Sequence, residues 1–125
     1  MVRFDASELE GLAAELGRIG ARSVPVMTNV FQAGADDLVT AWATNARQTS
    51  GVHGKHYPDS IDSQRLISTD ITFEVGPNPS KPQGSMAFET GSAKQPPHPD
   101  GQRAADVELP KIDRAIAAAL TELGL

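Results

Sequence analysis

The sequence predicts an α+β fold, in which helices pack on one face of a small antiparallel sheet. Apolar residues recur at helical spacing towards both ends of the chain, and two short segments with strand character lie between them. Six of the nine prolines fall between positions 77 and 99, which leaves room for few strands. We expect two to four strands in a single domain spanning residues 1–125, because a chain of this length normally forms one domain.

A first amphipathic helix is predicted after Ser7, a residue type that caps helix N-termini well. The apolar residues that follow recur every three or four positions and share one helix face: Leu9, Leu12, Leu16 and Ile19. Gly20 is expected to end or fray this helix, because glycine is a poor helix former.

A second helix is predicted to follow, with Ser23 as its N-cap and Pro25 in its first turn, where the missing N–H costs nothing. Its apolar residues keep the helical period to about Arg47, and a single helix kinked near Pro25 is the alternative description. Trp42 is predicted to lie in the core, whereas the acidic pair Asp36–Asp37 is predicted to face solvent.

Residues 60–67 and 69–75 are predicted to be extended and close enough to pair as a hairpin. The second segment alternates apolar with polar residues, so one of its faces should be buried. Residues 76–84 are rich in proline and glycine and are predicted to form a loop. A further short strand is expected around Ser85 to Glu89.

The C-terminal part is predicted to be helical after Gly101 and to lie on one face of the sheet. Pro110 must either start a new helix or kink a continuous one, because proline removes a helical hydrogen bond. An apolar stripe follows at spacings of four, four and three: Ile112, Ile116, Leu120 and Leu123. Gly124 is a suitable C-cap.

The backbone is most tightly prescribed between the predicted sheet and this helix, from Phe88 to Pro99. Gly91 can adopt a positive φ, so a sharp reversal is predicted there. Pro96, Pro97 and Pro99 fix φ and favour an extended, polyproline-like arm. Such an arm is suited to docking on a neighbour, and a simple connector between strand and helix is the alternative.

Composition excludes several classes of protein. Eleven basic against sixteen acidic residues give a net charge of −5, which argues against binding dominated by DNA phosphates. The absence of cysteine excludes disulfides and thiolate metal sites. No apolar stretch reaches 18 residues, so we expect no membrane contact.

No set of residues indicates catalysis. His53, His56 and His98 are the metal candidates, but a third ligand such as Asp59 or Asp62 is fixed by nothing in the sequence. There is no nucleophile motif around a serine and no cysteine nucleophile. We therefore expect no catalytic residues, no cofactor, no metal and no enzymatic activity.

Stiff, proline-bounded loops around a small sheet are instead typical of repeated subunit contacts, and a head-to-tail contact closes into a ring when its rotation allows. The candidate interface residues come from both loop regions: Pro77, Pro79, Pro82, Glu89, Gly91, Pro96, Pro97 and His98.

Four runs are similar to those of a known family: Gly54–Ile61, Phe73–Pro77, Phe88–Ser92 and Gln95–Pro99. They resemble the neck or tail-completion proteins of long-tailed bacteriophages, the group that includes the minor tail protein Z of phage lambda. The resemblance extends over most of the chain, in order and spacing. One departure is Pro58-Asp59-Ser60-Ile61, where that family usually has Thr-Gly-x-Leu after the proline.

The resemblance implies a structural virion protein of the head-to-tail connector, without catalysis. Its copies would form a hexameric or dodecameric ring that joins the connector and tail rings and lets genomic DNA pass without specific binding, helped by an acidic lining. It would act in the neck of the virion after assembly in the bacterial cytoplasm. The alternatives are a tail terminator or head-closure (stopper) ring, a small metal-dependent hydrolase, and a monomeric peptide-binding adaptor.

Overall fold

The computed structural model describes residues 2–5, 20–67 and 70–124, and it has the predicted α+β architecture. Its elements, in chain order, are strand β1 (Val2–Asp5), helix α1 (Gly20–Thr49), a 3₁₀ turn (Pro58–Ser60), strands β2 (Ile61–Arg65) and β3 (Thr72–Pro77), short helix α2 (Ala87–Thr90) and helix α3 (Asp100–Glu122). The sheet has the order β1-β3-β2, and both pairs are antiparallel. The helices α1 and α3 pack against each other and on the sheet, α1 over β2 and β3 and α3 nearest to β1.

The core lies where the apolar face of α1 meets the sheet and α3. On α1 the buried side chains recur every three or four residues: Met27, Phe31, Ala35, Leu38, Trp42 and Ala46. The small residues Ala104 and Ala105 on α3 let the two helices approach closely. A Cβ at Gly101 would lie only 2.5 Å from the Trp42 ring, so this position has no room for a side chain. Truncating a buried tryptophan to alanine typically costs about 3–5 kcal/mol.

The predicted hairpin is confirmed, since β2 pairs antiparallel with β3 in a register that sets Ser63 opposite Val75. Trp42 is buried and Asp36–Asp37 is exposed, as predicted. The predicted C-terminal helix is also present, and it continues through Pro110 without a break. Proline removes the hydrogen bond of the Asp106 carbonyl there, at an exposed position where water can replace it.

The short strand expected at Ser85–Glu89 is wrong, because this segment forms the helical turn α2. The Ser85 hydroxyl accepts the N–H of Ala87, and the Met86 carbonyl accepts the N–H of Thr90. These local bonds satisfy the backbone within the turn, while Met86 still packs against the core. The segment therefore needs no partner strand.

The predicted helix start at Ser23 is also wrong, because Ser23 lies inside α1. The alternative of one helix across Pro25 agrees better with the structure, since α1 continues through this residue. Residues 2–5, where no element is predicted, form β1 and make β3 the central strand. The predicted amphipathic helix between Ser7 and Ile19 lies outside the described residues.

Candidate functional site

The junction between the core and α3 is built on an aromatic cluster. The indole Nε1 of Trp42 donates a hydrogen bond to the Tyr57 hydroxyl at 3.1 Å, and both side chains are buried. The Tyr57 ring stacks on Phe88, with 4.5 Å between ring centroids and 22° between ring planes. This cluster seats α2 against α1 and links the loop before β2 to the segment after β3.

Burial raises the pKa of Tyr57 to about 12, an effect that the hydrogen bond from Trp42 opposes and the nearby charges of Glu89 and Asp100 support. The phenol is therefore neutral at physiological pH. Its surroundings hold it as a packing and hydrogen-bonding group, since ionisation would place an uncompensated charge in the core.

Glu89 caps α3 from outside the helix. Its Oε1 accepts the N–H of Gly101 at 2.8 Å, and its Oε2 accepts the N–H of Gln102 at 3.1 Å. The first N–H groups of a helix have no partner within the helix, and the positive end of the helix dipole favours a carboxylate. The residue proposed from sequence as an interface contact therefore has a partner within its own subunit.

Asp100 joins the start of α3 to the end of α1, and its carboxylate is almost fully buried. It accepts hydrogen bonds from the Thr49 hydroxyl at 2.7 Å and from Arg103 at 2.6 Å, and its backbone carbonyl accepts one from Asn45. Sequence reasoning missed this residue. The available signal was an acidic residue directly after Pro99, at the first turn of a predicted helix.

The reversal predicted at Gly91 is confirmed, with φ +84° and ψ 168°. A Cβ there would lie 2.9 Å from the Pro97 nitrogen, so the prolines fold back over the turn. The Ser92 N–H donates to the Gln95 carbonyl at 3.0 Å, and the His98 N–H donates to the Phe88 carbonyl at 2.8 Å. The arm is thus a compact loop on its own subunit, rather than an extended arm along its whole length.

His98 is half-buried, and its Nδ1 is shielded from solvent with no hydrogen-bond partner in the described chain. Its backbone carbonyl accepts the N–H of Asp100 at 2.7 Å. His53 and His56 are exposed in the loop before β2. Across residues 2–5, 20–67 and 70–124, no group of three histidine or acidic residues is placed to hold a metal ion.

The loop of residues 76–84 is also fastened to its own subunit. Asn78 and Lys81 both donate to the Asp62 carboxylate at 2.9 Å. Burial opposes ionisation of Asp62, but the hydrogen bonds from Asn78 and Lys81 outweigh it and lower the pKa of this carboxyl. This anchor connects the loop to β2.

Gln83 holds this loop against the histidine loop. Its side chain donates to the His53 carbonyl at 2.5 Å and accepts the N–H of His56 at 2.7 Å. Its backbone has φ +60°, an uncommon value for a residue with a side chain. Sequence reasoning missed Gln83, because nothing local marks a glutamine as a bridge between two loops.

The predicted interface residues therefore fall into two groups. Four prolines lie exposed at the loop surfaces: Pro79, Pro82, Pro96 and Pro97. Pro77 is buried at the end of β3, and Glu89, Gly91 and His98 belong to the junction. A neighbouring molecule would meet the loop tips rather than the residues at their bases.

The backbone bonds of the hairpin determine which groups of β2 face outward. The Asn78 N–H donates to the Ser60 carbonyl at 2.7 Å, and the Leu66 N–H donates to the Thr72 carbonyl at 2.9 Å. Bonded pairs recur every second residue in an antiparallel ladder, so the even-numbered residues of β2 bond to β3. The odd-numbered residues present their backbone groups at the outer edge of the sheet.

At that edge the Ile61 N–H already donates to the Pro58 carbonyl. The Ile61 carbonyl and both backbone groups of Ser63 and Arg65 have no partner among the described residues. By the same alternation, the backbone groups of Val2 and Phe4 on β1 bond to β3, and those of Arg3 and Asp5 face outward. The sheet therefore has two unpaired edges in the described chain.

Among the described residues, no helix is both long enough and apolar enough to cross a membrane. No family model, no curated protein and no solved structure matches this chain.

Proposed function

We propose that this protein is a structural subunit of the bacteriophage neck, where copies form a tail-completion ring that joins the head connector to the tail. The observation that carries the proposal is a three-stranded sheet with both edges unpaired in the described chain. Unpaired edges are sites where another chain can add a strand, and monomeric proteins usually cover or blunt them. The sequence resemblance supplies the identity of the assembly.

The junction supports a structural role over a catalytic one. The runs that carry the resemblance, Phe88–Ser92 and Gln95–Pro99, build the turn that fastens α3 to the core. Their polar groups bond within the subunit, as the Glu89 carboxylate does with the start of α3. Such a rigid base holds the exposed proline tips in fixed positions, which lowers the entropy lost when a neighbour binds them.

Location in the particle tests the proposal. Antibodies against this chain should label the neck of intact particles of the virus that encodes it, and particles made without the chain should carry unjoined heads and tails. Label at the tail tip, or normal joining without the chain, would refute the proposal. Label confined to the head side or to the tail side of the neck would favour a stopper or a terminator ring, respectively.

We propose further that passing DNA meets an acidic lumen without specific contacts, consistent with the net charge of −5. The exposed acidic pair Asp36–Asp37 on α1 is a candidate for that lining. A traced ring in which this pair faces outward would contradict the idea.

The edge of β2, which is unpaired among the described residues, also favours one alternative, a monomeric adaptor that binds an extended peptide by adding it to the sheet. Light scattering of the purified chain, alone and with its neighbouring rings, separates the two. An adaptor stays monomeric in both conditions, whereas a neck subunit assembles in at least one.

A further inference from the structure

The two sheet edges that are unpaired among the described residues differ from each other, and their strand directions are compatible with pairing between copies. Strands β1 and β2 both run antiparallel to β3, so they run parallel to each other at opposite edges. When a second copy is added head-to-tail without reversing its direction, its β1 lies beside β2 of the first copy as a parallel neighbour. A contact of this kind joins two different surfaces and can repeat around a ring.

The free backbone groups fit this pairing. In a parallel ladder, every second residue of one strand bonds to the two residues that flank its neighbour. If Arg3 of the second copy lies level with Asp62, its N–H reaches the Ile61 carbonyl and its carbonyl reaches the Ser63 N–H. Asp5 then bonds in the same way between Ser63 and Arg65. This register uses only groups that have no partner in the described chain.

Two β2 edges can also pair antiparallel about a twofold axis; centred on Gln64, this pairing sets Ser63 opposite Arg65, but it leaves the Ile61 carbonyl and both β1 edges without a new partner. A pairing centred on Ser63 sets Ile61 of each copy opposite Arg65 of the other. The Ile61 N–H of each copy would then have to donate to the Arg65 carbonyl of the other copy. That N–H already donates to the Pro58 carbonyl. Such a dimer would also leave both β1 edges unpaired.

The side chains support the same register. Arg3 forms an ion pair with Glu74 across the sheet at 2.5 Å. Gln64 lies opposite Glu74 on β2, and Asp62, two residues before Gln64, projects its side chain to the same face of the sheet. Arg3 and Asp62 therefore lie on the same polar face, and the register brings these opposite charges together. Opposite charges in neighbouring strands favour pairing.

We infer that the edge of β2 binds β1 of a second copy in parallel register, with Arg3 beside Asp62, so that the sheets of successive subunits join into one. This inference rests on the proposed ring. It names the two surfaces that meet and the direction of the contact.

Disulfide trapping tests the contact directly, because the chain contains no cysteine. The double variant Arg3→Cys/Asp62→Cys cannot link within one subunit, since β1 and β2 are two strand spacings apart, about 9–10 Å, and a disulfide needs Cα atoms about 4.4–6.8 Å apart. We expect a ladder of linked multiples on a non-reducing gel after oxidation. The control Arg3→Cys/Ser63→Cys should give little or none, because residue 63 projects its side chain to the opposite face.

A backbone variant gives an independent test. Ser63→Pro removes an N–H that faces outward and has no partner in the described part of the chain, so the β2–β3 ladder is preserved and rings should be lost. Ser63→Ala keeps that N–H and should assemble as the unmodified chain does. Circular dichroism checks that both variants fold.

Both tests are run on the purified chain and on particles assembled with each variant. Rings that form without trapping the first cysteine pair, or that survive in folded Ser63→Pro, would overturn the edge pairing and leave the neck proposal standing. Absence of disulfide-linked multiples on the gel, from both the purified chain and the particles, overturns the inference as well. Neck labelling decides the proposed function separately.

Discussion

The cap that Glu89 places on α3 predicts a specific loss of stability. Glu89→Ala removes the acceptors of two backbone N–H groups, those of Gly101 and Gln102, at the start of a 23-residue helix. A helix cap contributes about 0.5–2 kcal/mol, and a hydrogen bond to a charged group about 1.5–3 kcal/mol. Because Glu89 is half-buried and partly screened by solvent, we expect a loss of about 2 kcal/mol for the alanine variant.

Glu89→Gln distinguishes the contribution of the negative charge from that of the oxygen acceptors. The amide keeps one oxygen for one of the two N–H groups, so its loss should be about half that of the alanine variant, roughly 1 kcal/mol. At a few degrees per kcal/mol for a domain of this size, the alanine variant should melt roughly 6–10 °C below the unmodified protein.

Equilibrium unfolding in urea measures both values, with an unchanged slope required for the comparison. Glu122→Ala is the matched control, because Glu122 is an exposed acid on the same helix and lies at the end where the dipole disfavours it. Its stability should be unchanged or slightly higher. A Glu89→Ala variant within about 0.5 kcal/mol of the unmodified protein would refute the cap, which would then be an ordinary surface contact.

For three further perturbations, the structure determines whether the free energy of unfolding rises or falls. Gly91→Ala should lower stability by about 1–3 kcal/mol, since φ +84° with ψ 168° is open almost only to glycine, whereas Ser92→Ala should change melting little. The raised pKa of Tyr57 stabilises the fold fully below pH 10.0, the pKa of an unfolded tyrosine, and this contribution is lost as pH rises through about 12. Urea titrations should show about 2 kcal/mol lost by pH 12; Tyr57→Phe should lack that loss, and an equal slope in both proteins would contradict the assignment. The lowered pKa of Asp62 stabilises the fold above pH 3.8, its unfolded value, and the contribution disappears as pH falls through the lower folded value. Acid unfolding of Asp62→Asn should accordingly be less steep, and identical acid curves would show that the anchor on the loop is not formed in solution.

The elements predicted correctly are those with strong local signals. The hairpin is predicted by period-two alternation, Trp42 and the apolar stripes of α1 and α3 by period 3.6, and the turn by Gly91 between a short apolar run and a proline cluster. Each of these features depends on neighbours within a few residues, so the sequence was sufficient.

The features that were missed depend on distant parts of the chain. Asp100 meets Thr49 across 51 positions, and Gln83 meets His53 across 30. The Ser85–Glu89 segment contains a short apolar run that fits a strand, but its own turn bonds and the packing of Met86 favour a helix. Nothing local distinguishes these outcomes, because they are decided by which surface the segment meets.

The most consequential omission is β1, four residues that change the character of the sheet. Without β1, the β2–β3 hairpin would present the odd-numbered groups of β3 at an edge flanked by the apolar side chains Phe73 and Val75, and such an edge promotes indiscriminate aggregation. With β1 in place, β3 is central and both edges are short, carry charge and run in the same direction. A sheet with two identical edges favours closed pairs, whereas one with two different, parallel edges favours a contact that repeats. The N-terminal strand therefore gives the sheet the directionality that the proposed ring would require.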